Sequence, residues 1–287
     1  MTKQKIGVLH PGQMGISVAA SAQNSGHDVC WASEGRSPQT CERAAKFNLH
    51  DAHTLAKLCE TCSIIVSVCP PHAAEDVAHR VLDCSFAGLY LDANAISPQR
   101  VIRIGRRVTQ AGATFVDGGI IGGPAWEPGR TWLYLSGPDQ GTHLAASCFS
   151  AGPLETSVIG EAIGKASALK MCFAAYTKGT TALLCGILAA AETLDVREEL
   201  EHQWSRGGSD FAEQTSQRVR RVTAKAWRFA GEMDEIAATF DEAGMPGGFH
   251  AAASAIYRRI AGFKNAPSTP LLQDVLAALI RDEDKTV

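Results

Sequence analysis

At 287 residues the chain has room for one large domain or two ordinary ones, at about 150 residues each. Hydrophobic residues at 45% and charged residues at 20% match ordinary soluble enzymes and exclude a disordered chain. A formal charge of −3 and a pI of about 6.3 leave no basic footprint for nucleic acid or an anionic membrane surface.

The first half alternates short apolar runs with helical patterns. A strand over 6–9 runs into a glycine turn and a helix over 13–23, and a second strand covers 29–32. No apolar signal segment precedes the first strand, and nine cysteines, an odd number, are scattered through apolar stretches, so reduced thiols in the cytoplasm are expected. His50, His53, Cys59 and Cys62 resemble paired metal ligands, but five residues between the pairs are too few for a structural zinc. The segment reads as helix with Leu55 and Leu58 turned inward, and no metal is expected. The β-branched run 63–69 reads as a strand buried on both faces; Pro70 and Pro71 stop it, and the second proline opens a helix to about Leu82. Strands at 89–92 and 114–117 flank a helix opened by Pro98, and 132–136 alternates like an exposed edge strand. Strands split by helices of about 10–15 residues imply a parallel sheet with helices on both faces.

The second half contains no convincing strand. A helix over about 163–194 is roughly 48 Å long at 1.5 Å per residue. It is apolar nearly all round, so it should be buried on most sides and needs a partner beyond its own domain, a second subunit. Lys178 in its middle would cost about 3 kcal/mol on membrane-insertion scales, which favours a buried soluble helix over a span. Amphipathic helices follow over 196–204, 210–240, 248–262 and 269–280. The boundary is therefore expected near Gly160, with an α/β domain over 1–160 and an all-α domain over 161–287.

The strand over 6–9 leads into His10-Pro11-Gly12-Gln13-Met14-Gly15, a dinucleotide-binding turn whose first glycine is replaced by His10. Gly12 would let backbone approach a pyrophosphate, Gly15 would let helix pack on strand, and the helix N-terminus offers amides and positive dipole to the phosphate. The second strand ends in Ser33 where an acidic residue normally takes the adenosine ribose, and Arg36 and Ser37 follow. A small hydroxyl beside an arginine suits a 2′-phosphate, so NADP (NADPH) is expected over NAD. Arg36 as a solvated loop residue, or Glu34 taking the ribose, is the competing reading.

Further marks follow in order: Val68-Cys69-Pro70-Pro71, Asp92-Ala93-Asn94-Ala95-Ile96-Ser97-Pro98, Asp117-Gly118-Gly119-Ile120-Ile121-Gly122-Gly123, and Gly164 six residues before Lys170. Together they resemble the β-hydroxyacid dehydrogenase superfamily, which includes 6-phosphogluconate and 3-hydroxyisobutyrate dehydrogenases. The pattern looks closest to a branch whose C-terminal helical domain lacks an assigned function. The resemblance implies a doubly wound Rossmann domain, mostly parallel, followed by an all-α substrate and dimerisation domain, and a homodimer through the long helix. It implies Lys170 as general acid/base, since hydride delivered to a carbonyl carbon leaves an oxygen that needs a proton. It also places Cys69, Pro70 and Asn94 against the cofactor, and Asn94, Ile121, Gly122 and Gly123 on the substrate side.

Departures from the family pattern are equally specific. Ile121 stands where the family has a carboxylate-holding serine, Ala174 where it has an asparagine, and Asn94-Ala95 where it usually has serine and threonine. At 100° per residue Thr177 lies within roughly 20° of Lys170 around the helix and Lys178 within roughly 80°. Thr177 could restore a hydroxyl to the pocket, with Lys178 less well aimed; Thr177 as a helix-packing hydroxyl is the equal alternative. Glu232 is loosely aligned with an acidic residue that the family keeps near the pocket, with a solvated helix face as the favoured reading. The implied activity is NADP-dependent hydride transfer between nicotinamide and a carbonyl/alcohol carbon of a small hydroxyacid-like substrate. Imine or enamine reduction on the same scaffold is the rival, although imine reductases usually replace the lysine, and a non-catalytic NADP(H) sensor is the other.

Overall fold

A computed structural model describes residues 2–281, which divide into two compact units after Met171. The first unit holds β1 (Lys5–Val8), α1 (Gln13–Asn24), β2 (Asp28–Trp31), α2 (Pro38–Lys46), β3 (His50–Asp51), α3 (Leu55–Thr61) and β4 (Ile64–Ser67). It continues with α4 (Ala74–Asp83), β5 (Leu89–Asp92), α5 (Pro98–Gln110), β6 (Thr114–Gly122), β7 (Thr131–Ser136), α6 (Asp139–Ser147) and β8 (Leu154–Gly160). The eight strands form one sheet in the order β3-β2-β1-β4-β5-β6-β7-β8. The first six are parallel, β7 runs antiparallel to β6, and β8 runs parallel to β7. This is a doubly wound Rossmann sheet whose strand order reverses between β1 and β4.

Period-two alternation explains the near-continuous apolar strands, because both faces are covered. Ile6, Val8, Val29, Ile64, Val66 and Leu91 face one core with Ile16 and Val18 of α1. Cys30, Ile65, Tyr90 and Phe115 face the other, with Leu58, Val81, Val101 and Ile104 from α3, α4 and α5.

Several sequence expectations need correction. His50–Asp51 is strand, and helix is confined to Leu55–Thr61, where Thr54 accepts from the Lys57 amide as its cap. β7 is an interior strand between β6 and β8. The edge is β8, whose mixed composition, with only Leu154 buried, hides it from a hydrophobicity reading. α2, short and strongly polar, and α6 are likewise additional elements. β6 runs five residues past its pairing with β5, to Gly122, because the segment from Gly118 onward pairs with β7 instead.

α7 (Lys165–Thr193) starts in the first unit and continues into the second, which adds α8 (Arg197–Trp204), α9 (Phe211–Glu242), α10 (Gly248–Arg259) and α11 (Leu272–Ile280). α9 and α10 form the heart of the second unit: Ser254 Oγ donates to the Ala230 carbonyl at 2.8 Å, and Tyr257, fully buried, donates to the Lys178 carbonyl at 2.8 Å. By length and composition α7 could cross a membrane, with a mean hydropathy of 1.3. Both its interior lysines are held by protein groups, Lys170 by the Ile120 carbonyl and Lys178 by Glu232. Against the expectation of cover on most sides, one face of α7 is open: Leu169, Phe173, Tyr176 and Leu183 are exposed, Tyr176 by 72%.

Candidate nucleotide and proton-transfer site

The nucleotide turn stands where the strand order reverses, at the carboxyl end of β1. Gly15 is required by packing: a Cβ there would lie 2.0 Å from the His10 carbonyl oxygen. At Gly12 a Cβ would meet nothing within 4 Å, so open space lies before the turn. Gly12 is the N-cap of α1 and no side chain caps the helix, which leaves its first amides available to an anion. His10 Nδ1 and Arg36 Nε are buried without hydrogen-bond partners. Burial, then the nearby Arg36 and Arg80, pull His10 down to about 4, so its ring is neutral at physiological pH.

His10, Arg36 and Arg80 line one small cavity with Leu9, Ala32, Glu34, Leu55 and Val77. Arg80 projects from α4, about forty residues downstream of the loop that sequence reasoning singled out, and only the fold brings it to Arg36. Arg43 of α2 also reaches the turn, donating to the Pro11 carbonyl at 3.2 Å. Two expected ligands already have protein partners: Ser37 Oγ caps α2 by accepting from the Thr40 amide at 3.3 Å, and Ser33 is tied to Asp51, its amide donating at 3.2 Å. The residues present therefore fit a dinucleotide: a glycine turn in open space, an uncapped helix start, and buried donors without partners.

At the carboxyl ends of β4 and β5, Asn94 works as a clamp. Its Oδ1 accepts from the Cys69 amide at 2.6 Å, its Nδ2 donates to Ser67 Oγ at 3.1 Å, and its own amide donates to Asp92 Oδ1 at 3.0 Å. Asn94, 3% exposed, thus sets the path of the Cys69-Pro70 segment, the position the sequence assigns to the cofactor side. Burial pushes the Cys69 thiol up to about 12, so it stays protonated.

The start of α7 is fixed from the sheet. Asp117 Oδ2 accepts from the Gly164 amide at 2.9 Å, the Ser167 amide at 3.1 Å and Ser136 Oγ at 3.0 Å, and Oδ1 accepts from Ser167 Oγ at 2.6 Å. Ser136 Oγ in turn accepts from the Ala166 amide at 3.0 Å. Amides that a helix start leaves unpaired are thus satisfied by side chains of β6 and β7. Burial pushes the Asp117 carboxyl up, and the bonds from Ser167, Ser136 and Gly164 pull it back. A Cβ on Gly119 would lie 2.5 Å from the Ala166 oxygen and 3.2 Å from Lys170 Cβ, so the glycine lets α7 settle directly on β6. That contact brings the Lys170 ammonium to the Ile120 carbonyl. Ile120 lies in the part of β6 that overshoots β5, so Lys170 stands on the edge of the sheet that also carries the glycine turn, Cys69 and Asn94.

Ser67, Asp92, Asp117 and Ser136 are register partners from β4 to β7 and form one buried polar row across the sheet. In the sequence Asp117 stands out only as part of a motif, and Ser136 only as the last residue of the strand over 132–136.

Other expected substrate contacts fall differently. Ile121 is 9% exposed, Gly122 and Gly123 are exposed, and Gly122 has φ +124 with Thr131 Oγ1 closing the loop onto the Gly123 carbonyl at 2.8 Å. Ala174 is buried, and Thr177 Oγ1 donates to the Phe173 carbonyl at 3.2 Å, the packing alternative for that hydroxyl. Lys178 pairs with Glu232 and lies 4.8 Å from the Phe229 ring centre. Glu232, 7% exposed, is not on a solvated face. Two charges this deeply placed are held together because either alone would be costly to bury.

The comparisons with known proteins agree with this geometry. Residues 5–159 match the model for the NAD binding domain of 6-phosphogluconate dehydrogenase, and residues 191–260 match a domain of unknown function, DUF1932. An uncharacterized 28.5 kDa protein of Methanothermus fervidus is 29% identical over 167 residues, which is 58% of this chain; the match spans 63% of that relative's length. A solved conserved protein of unknown function, described as structurally similar to 3-hydroxyacid dehydrogenases, is 26% identical, with a TM-score of 0.65 and coverage of 96% of this chain and 99% of its own. The 3-hydroxyisobutyrate dehydrogenase of Mycobacterium tuberculosis shares the fold at 17% identity, with a TM-score of 0.69 and coverage of 98% and 100%. Imine reductases share it too. With a glycine turn that admits a dinucleotide, a doubly wound sheet and a match over more than half its length, the chain belongs to the family of the NAD binding domain of 6-phosphogluconate dehydrogenase.

Proposed function

We propose that the chain is an NADP(H)-dependent oxidoreductase acting on a small hydroxyacid-like substrate, with Lys170 as its proton donor and acceptor. The observation that carries this reading is the Lys170 ammonium resting on the Ile120 carbonyl, on a helix start tied to the same sheet edge as the glycine turn. When bound, the nicotinamide supplies or takes the hydride. The chain's own part is to hold Lys170 Nζ where it can give a proton to a substrate oxygen in reduction, or receive one in oxidation, with the Ile120 carbonyl orienting it meanwhile. Asn94 holds the Cys69-Pro70 wall in place, and Ile121 offers apolar surface where a carboxylate-binding hydroxyl would otherwise stand. Arg36, assisted by Arg80, supports the 2′-phosphate assignment because no carboxylate pairs with either among the described residues. A second copy covering the open face of α7 at Phe173, Tyr176 and Leu183 accounts for that apolar exposure. Nine free cysteines suit a reducing cytoplasm.

The test is oxidation of NADPH against a panel of small oxo acids and cyclic imines. Lys170→Ala should lower carbonyl turnover by a factor of about 100 or more while NADPH affinity stays within twofold. Undiminished imine turnover in that variant would replace this reading with imine reduction, and binding without turnover of any kind would replace it with a sensor.

A further inference from the structure

A basic groove lies in the helical unit. A groove of about 450 Å³ runs between α9 and Thr181 of α7, lined by Gln214, Gln217, Arg218, Arg221, Val222, Lys225 and Phe229. Its volume falls within the range of small-molecule sites, roughly 300–1,000 Å³. The lining is basic and contains no carboxylate. Arg218, Arg221 and Lys225 share one helix face at spacings of three and four residues, where like charges repel. Their chain neighbours Arg220 and Arg228 have other partners, the Pro270 carbonyl at 2.8 Å and Glu232 at 3.9 Å. No carboxylate pairs with the three groove cations among the described residues, although the whole chain carries a net charge of −3.

Arg218 is held ready. Its Nε donates to Thr181 Oγ1 at 2.7 Å, and its Nη2 donates to the Thr177 carbonyl at 2.9 Å and to Thr180 Oγ1 at 2.6 Å. Those three bonds fix the guanidinium plane and leave the two N–H donors of Nη1 oriented in advance for an anion. Val222 and Phe229 supply apolar surface beneath it. Such a set relieves its own repulsion by taking up negative charge. Thr181 stands eleven residues beyond Lys170 on the same helix, about 16 Å along its axis, too far for one small hydroxy acid to touch both.

We propose that this groove binds a small organic anion whose phosphate or carboxylate head sits on Arg218, Arg221 and Lys225 and whose body lies on Val222 and Phe229. The site is distinct from the nucleotide turn and from Lys170. It does not depend on the reaction proposed above.

The test uses citrate and inorganic pyrophosphate as probes, at matched ionic strength, on the full chain with saturating NADPH so that the glycine turn is already filled. Wild type should show saturable binding by calorimetry and a rise in Tm. Arg221→Gln with Lys225→Gln removes two charges that pair with no carboxylate among the described residues and should weaken probe binding at least tenfold while NADPH affinity is unchanged. Arg218→Gln, which also breaks the bonds to α7, should weaken binding but lower Tm as well. Equal binding to wild type and the double variant, loss of binding once NADPH is present, or no binding at all each overturns the proposal. A double variant that falls from dimer to monomer by light scattering also overturns it, because the cations would then be meeting a second copy.

Discussion

Replacing Asp117 with alanine tests the claim that the sheet positions Lys170. Four hydrogen bonds end on this carboxylate, two from hydroxyls that can turn elsewhere and two from the Gly164 and Ser167 amides, which cannot. A buried donor left unpaired costs about 1–3 kcal/mol, so the two amides alone put the loss at about 4 kcal/mol. That is a large share of a typical folding free energy of about 5–15 kcal/mol. Asp117→Asn keeps one acceptor oxygen for the two amides and should lose about 1–2 kcal/mol. Urea denaturation followed by tryptophan fluorescence gives both values, provided the slope with denaturant is unchanged. NADPH affinity should be little altered in the asparagine variant, because the glycine turn follows a different strand, β1. An alanine variant within 1 kcal/mol of wild type would refute the argument, since the amides would then have found other partners and α7 would not depend on Asp117.

Three further outcomes follow from the same geometry. Gly119→Ala places a methyl about 0.9 Å inside ordinary contact with the Ala166 oxygen, and a displacement of Lys170 of that order should lower turnover roughly 100-fold with NADPH affinity unchanged; an active variant would show that the helix start yields freely. Asp92 is fully buried with Oδ2 unpaired, and burial raises it to about 7, above its unfolded value near 3.9. The folded chain therefore holds a proton that the unfolded chain releases, so this contribution to stability is present below about pH 4 and gone above pH 7. Asp92→Asn should flatten that decline, gaining up to about 4 kcal/mol relative to wild type at pH 8 over pH 4, read from urea midpoints across the range; parallel profiles for the two proteins would refute it. Lys178→Met should cost about 3 kcal/mol by removing the close ammonium partner of the buried Glu232, and adding Glu232→Leu should restore at least half of it by the same assay; a double variant no better than the single one would mean that Glu232 matters for other reasons.

The Rossmann half was legible because its evidence is local. Apolar strands over 6–9, 63–69 and 89–92 and the glycine turn each announce themselves within ten residues; β4 and β5 lie within those runs, and β1 overlaps the first with a shift of one residue. β8 was not legible: a half-exposed edge strand with one buried residue carries neither continuous apolarity nor clean alternation. At the site, Lys170 and Gly15 could be read from spacing and motif, whereas Arg80, Ser136 and the Lys178–Glu232 pair could not. Each of those depends on a partner from another element, 19 residues away or more. Ser37 carries a second signal in the sequence, since a serine just before Pro38 marks a helix cap, and its Oγ caps α2.

The polar row from Ser67 to Ser136 has a consequence for how this scaffold can change. It links the Asn94 clamp at one end to the Ala166 amide at the other, and each strand contributes a single rung. Inserting or deleting one residue in any of those strands would turn its rung to the opposite side of the sheet and break the connection. Altering the proposed substrate site should therefore succeed by changing the tips around Ile121 and Gly123, and fail when a strand is lengthened or shortened beneath them.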